Sequence, residues 1–107
     1  MALEADTAIV VMITAGSRAE AEKLAEMLVE RCLAACAQVL PEMLSIYRWQ
    51  GAIERSSEHL LLVKTTYARF AELEREVRDT HSYDTPEIIA LPVTTASKPY
   101  LEWLRSI

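Results

Sequence analysis

Six side chains carry most of the chemistry this sequence could perform: Tyr47, Trp49, Lys64, His81, Tyr83 and Glu87. Aromatic rings supply apolar walls, while Lys64 and Glu87 supply charge and orientation. That is the make-up of a small-ligand pocket. His81 adds an imidazole that can ligate a metal or titrate near neutral pH. A structural reading competes with each. Lys64 and Glu87 would form an ion pair at a subunit boundary, and the aromatics would fill the seam, because interfaces favour Tyr and Trp. His81 would cap a helix, where its charge suits the dipole at the last turn.

Other reactive groups read as structural. Cys32 and Cys36 lack CxxC spacing and behave as small buried hydrophobes. Arg31, next to Cys32, is the one hint of thiol activation. Asp84 and Glu87 stand three apart at a loop-to-strand junction, where acids commonly cap turns. His59 begins a strand at the surface and is given no role. No Ser-His-Asp set or HExxH motif occurs. The two glycines, Gly16 and Gly51, are too far apart for a dinucleotide fingerprint or a phosphate loop. Without a perturbed group and a positioned partner, the chain reads as non-enzymatic.

The 107 residues make one domain, 1–107. Hydrophobic residues are 51% and charged residues 25% of the chain, which suits a globular protein and not a disordered one. The net charge of −5 leaves no general basic face for phosphates, so no nucleic-acid partner is expected. No run approaches the ~18–20 apolar residues of a membrane span, so no membrane partner is expected either. The first apolar run, Ala8 to Ile13, is too short for a signal-peptide core and follows Glu4 and Asp6 rather than basic residues. A cytoplasmic protein with reduced thiols is expected.

These side chains need elements to hold them. Ala8 to Thr14 is a β-branched apolar run, a strand covered on both faces. Ser17 and Glu20 form a capping box. They open a helix to about Arg31, with Ala21, Leu24, Ala25, Leu28 and Cys32 on one stripe. Leu33 to Val39 is extended up to a bend at Pro41, and extension resumes from Met43 to Ile53. Ser45, Tyr47, Trp49 and Ile53 then point one way and Leu44, Ile46, Arg48 and Gln50 the other. The next turn falls at Gln50-Gly51 or at Arg55 to Ser57; continuity of the pattern through Ile53 favours the latter. His59 to Thr66 is a strand. Tyr67 to Thr80 is a helix with Phe70, Leu73 and Val77 inward and a Glu74–Arg78 pair outside. A polar turn leads to a strand from Glu87 to Val93. Ser97 caps a last helix, Lys98 to Arg105.

The order β-α-β-β-α-β plus a terminal helix is the α+β, ferredoxin-like sandwich, with both helices on one face of an antiparallel sheet. The opposite face should then be polar. Instead Val10, Met12, Leu60 and Leu62 are as apolar as Ile9, Val11, Leu61 and Val63. At roughly 25 cal/mol per Å², wetting that second face is costly, and a homo-oligomer that packs bare faces together removes the cost.

A specific resemblance sits on these stretches. It runs through Leu33-Ala34-Ala35-Cys36, Ser45-Ile46-Tyr47-Arg48-Trp49-Gln50-Gly51, Leu61-Leu62-Val63-Lys64-Thr65-Thr66, His81-Ser82-Tyr83-Asp84-Thr85-Pro86-Glu87, Ile88-Ile89-Ala90-Leu91-Pro92-Val93 and Tyr100-Leu101-Glu102-Trp103-Leu104. In order and spacing the set resembles the CutA divalent-cation tolerance family from about Thr7 to Arg105. The resemblance implies a ferredoxin-like homotrimer similar in architecture to PII signalling proteins. It also implies a link to copper or another divalent cation, none of it essential as a cofactor, and no defined reaction. A small metabolite held between subunits is the alternative ligand. Family members credited with copper ligands carry Cys and His where this chain has Ile13 and Thr80, leaving His81 alone. One imidazole is not a selective site. Glu42 follows Pro41 where relatives commonly have Gly.

Overall fold

The computed structural model describes residues 2–107. Strand β1 (Ala8–Ala15) leads to helix α1 (Arg18–Glu30), then to β2 (Cys36–Val39), β3 (Met43–Trp49) and the long β4 (Ala52–Thr66). A 3-10 turn (Tyr67–Arg69) opens α2 (Phe70–Thr80), followed by β5 (Ile88–Pro92) and α3 (Lys98–Arg105). All pairings are antiparallel, in the order β2-β4-β1-β5, with β3 paired to the outer half of β4. This is the predicted split βαβ order, with the second extended segment divided around Pro41.

Residues paired across strands share a face. Ile9/Thr65, Val11/Val63 and Ile13/Leu61 form one face, sealed by Ala21, Leu24 and Leu28 of α1 and Leu73 and Val77 of α2. Each large aliphatic chain fully buried there contributes about 1.5–3 kcal/mol. On the other face α3 shelters only one end, where Ala8 and Leu104 are buried. Val10, Met12, Leu60 and Leu62 are half-buried, and Ile89 and Leu91 of β5 are 50% and 49% exposed. The bare face expected from the sequence is present.

The hairpin turn lies at Gln50-Gly51, not at Arg55 to Ser57. Trp49 pairs with Ala52, and Gln50 and Gly51 take φ of 48° and 83°. Two left-handed residues in a two-residue loop match the twist of the flanking strands. The apolar pattern continues through Ile53 because the return strand has already begun. Ile53 therefore pairs with Arg48 and lies on the face opposite Trp49.

Cys32 leaves the α1 stripe: it is exposed at φ 57°. The Cys32 and Leu33 amides donate to the Val29 and Leu28 carbonyls, a Schellman close with Cys where Gly is usual. β2 consequently starts only at Cys36. Ser17 Oγ accepts from the Glu20 amide at 3.1 Å, but the Glu20 carboxylate turns to Ser82. Ser97 makes no side-chain cap bond. Phe70 is only half-buried. In place of a Glu74–Arg78 pair, Arg75 meets Glu72 at 3.7 Å and Arg31 meets Glu76. His59 is half-buried, and its Nδ1 lies 3.0 Å from the Leu40 carbonyl, pinning the Pro41 bend.

Candidate functional site

The outer hairpin of β3 and β4, the end of β1 and the loop from His81 to Glu87 enclose an open cleft of about 660 Å³. Tyr47 and Trp49 form one wall, with Ser45 and Ser56 beside them; Tyr83, Asp84, Thr85 and Glu87 form the other, and Thr14 and Glu58 lie between. Glu58 and Ser56 have the same parity along β4 as Leu60 and Leu62. The cleft is thus the outward continuation of the bare sheet face.

Tyr83 organises this cleft. Its hydroxyl donates to Glu58 Oε2 at 2.9 Å. Gly16 makes room for it, since a Cβ there would stand 2.9 Å from the Tyr83 oxygen. Burial, reinforced by the Glu58 carboxylate, pushes the Tyr83 phenol up to about 12. Glu87 is raised as well, by burial and then by repulsion from Glu58. On the opposite wall the Tyr47 hydroxyl and Ser56 Oγ are hydrogen-bonded at 2.8 Å. Glu58, Asp84 and Glu87 face the cleft and no Lys or Arg lines it, so its field is negative.

His81 stands behind the wall. Its side chain is fully buried and its ring centroid is 4.8 Å from that of Tyr83. The Tyr83 amide donates to Nδ1 at 3.0 Å, so Nε2 carries the proton and donates to the Thr14 carbonyl at 2.7 Å. Both nitrogens are engaged, and the ring clamps the Tyr83 loop to the end of β1. Its amide closes α2 by donating to Val77, the capping place foreseen for it. Glu20 Oε2 lies 3.8 Å from Nδ1. Burial opposes the Glu20 charge, but the bonds from the Ser82 amide and hydroxyl outweigh it and hold that carboxyl low.

Of the six residues singled out by sequence, Tyr47, Trp49, Tyr83 and Glu87 meet in the cleft and His81 supports it. Lys64 does not join them. Six residues along β4 from Glu58, about 20 Å away, its Nζ donates to Gln38 Oε1 at 2.7 Å on the bare face. No Lys64–Glu87 pair can form within one chain. Sequence reasoning missed Glu58. An acid two residues from a run of leucines signals a buried carboxylate only once the hairpin register is known. Asp84 and Glu87 line the cleft instead of serving only as turn caps.

The residues present do not make a metal site within one chain. Among the described residues, no three of His, Cys, Asp and Glu converge closely enough to hold a metal ion. Ile13 is fully buried in the core.

An α+β protein with one antiparallel sheet, three helices and an acidic, aromatic cleft at the sheet end is the class these observations define. The profile of the CutA1 divalent ion tolerance protein family matches residues 9–107. The divalent-cation tolerance protein CutA of Thermus thermophilus is 48% identical over 90% of this chain and 93% of its own. Its solved structure superposes with a TM-score of 0.90 over 92% of this chain and 95% of that one. A chloroplastic CutA of Arabidopsis thaliana is 43% identical over 92% of this chain, which spans 54% of that longer protein. The Archaeoglobus fulgidus CutA structure, described as periplasmic, superposes with a TM-score of 0.88 at 40% identity, over 91% of this chain and 94% of its own. The chain belongs to the CutA divalent-cation tolerance family. The family names speak of divalent-cation tolerance and do not name a reaction. No helix among the described residues is long and apolar enough to cross a membrane.

Proposed function

We propose that this protein is a non-enzymatic, cytoplasmic homotrimer that acts in tolerance of, or response to, divalent cations, copper foremost. The observation that carries this reading is the family match over nearly the whole chain. The half-exposed Ile89 and Leu91, beside Val10 and Met12 on the bare sheet face, support assembly. The carboxylates of the cleft support attraction of cations. Because one chain lacks a converged donor set, a bound ion would draw ligands from more than one copy. His81 could contribute only by giving up its bond to Tyr83 or to Thr14. Calorimetric titration of Cu(II) into the wild type and His81→Ala is the test. A reduced heat in the variant assigns His81 as a ligand; equal heats remove it. Absence of any heat in either protein would refute direct copper binding.

The cleft favours a second reading, a PII-like trimer that binds a small metabolite between subunits. Its volume is within the roughly 300–1,000 Å³ typical of ligand pockets, and Trp49 on its wall is a built-in reporter. A metabolite screen read by tryptophan fluorescence and melting temperature checks this reading. A screen that moves neither would withdraw it.

A further inference from the structure

We infer that the cleft between the β3–β4 hairpin and the Tyr83 loop binds an organic ammonium ion, held between the rings of Tyr47, Trp49 and Tyr83 and the carboxylates of Glu58, Asp84 and Glu87. This inference rests on the small-metabolite reading and names the chemical class of its ligand. Three features separate it from a mere patch of acids. Glu58 is 7% exposed, and the hydrogen bond from Tyr83 occupies its Oε2 alone. Oε1 is not sealed in the protein, and the residue lines the cleft. A carboxylate this buried and half-satisfied calls for a cationic partner.

The aromatic walls are the second feature. Aromatic faces attract cations, most strongly where water is displaced. The phenol oxygens of Tyr47 and Tyr83 are tied to Ser56 and Glu58, so the rings are positioned before a ligand arrives. The third feature is the fit. About 660 Å³ far exceeds a bare ion, and among the described residues no three of His, Cys, Asp and Glu converge to hold a metal. An alkylammonium head fills such a space through dispersion and charge together. Its positive charge would also offset the Glu58 charge that, second to burial, raises the Glu87 carboxyl.

The test compares choline with its uncharged isostere 3,3-dimethylbutan-1-ol, titrated into the full-length protein and followed by Trp fluorescence and calorimetry. Choline should bind saturably and the isostere at least about tenfold more weakly. Glu58→Gln, which keeps an oxygen to accept from Tyr83, and Trp49→Ala, at an exposed site, should each weaken choline by about tenfold. Equal binding of the two compounds would keep the cleft as a small-molecule site and overturn the ammonium assignment. Choline binding that Glu58→Gln and Trp49→Ala leave unchanged would overturn it too. Absence of binding by either compound, in protein shown to be folded, would overturn it whatever copper does.

Discussion

At the scale of single residues, Tyr83 matters most. Its ring packs on His81, its amide is held by the same imidazole, and its hydroxyl restrains Glu58. Replacing it with Phe leaves a buried carboxylate without its donor. Tyr83→Phe should lower stability by about 1–3 kcal/mol, seen as a lower denaturation midpoint with an unchanged slope. The phenol is raised to about 12 in the folded chain. Its contribution is therefore complete below pH 10 and is lost as pH rises through the interval from 10 to about 12. The wild type should lose stability over that window, and Tyr83→Phe should lose less. Glu20 has the opposite sign. Against the opposing effect of burial, its carboxyl is lowered by the Ser82 hydrogen bonds, so its contribution is present above the ordinary carboxylate range and lost as pH falls through the folded value. Glu20→Gln should flatten the acid limb of a melting-temperature profile.

At the scale of elements, the α1 terminus is a local fault that the fold tolerates. Cys32 occupies a left-handed conformation at φ 57°, which costs an L-residue roughly 1–2 kcal/mol. It is exposed, so burial of the thiol does little to offset that cost. Cys32→Gly should stabilise the protein by up to about 1 kcal/mol, once the greater freedom of Gly in the unfolded chain is subtracted. Thermal denaturation checks this, and a lower melting temperature would contradict it. The same conformation at Gly51 is what sets the register of the hairpin. That register, in turn, brings Tyr47, Ser56 and Glu58 to the cleft.

At the scale of the whole molecule, the uneven cover of the sheet governs behaviour. Two helices shield one face, and α3 shields only an end of the other. Leu91→Asp, placed in the bare face, should leave the monomer fold intact, because the residue is half-exposed and outside the core. If copies pack through this face, sedimentation should show the wild type as an oligomer and Leu91→Asp shifted toward monomer. A wild-type monomer at micromolar concentration would contradict the assembly proposed here. Because Glu58 and Ser56 continue that face, loss of assembly should also weaken ligand binding in the cleft.

Strand and helix order, the core stripe Ala21, Leu24, Ala25 and Leu28, and the apolar second face were all legible in the chain. Each is a short-range pattern of residue type against the periods of strand and helix. The position of the hairpin turn was not, because β-branched and apolar residues run on both sides of Gln50-Gly51 and propensity does not say where a chain reverses. Sequence could nominate Tyr47, Trp49, Tyr83 and Glu87 but could not separate them from Lys64, which lies on the same β4 strand as Glu58. Which side chains meet depends on cross-strand register, and register is settled by pairing between segments far apart in sequence. For the same reason, His81 was readable as a helix cap or a ligand. Only its enclosure between Thr14 and Tyr83 made it the clamp that holds the cleft in shape.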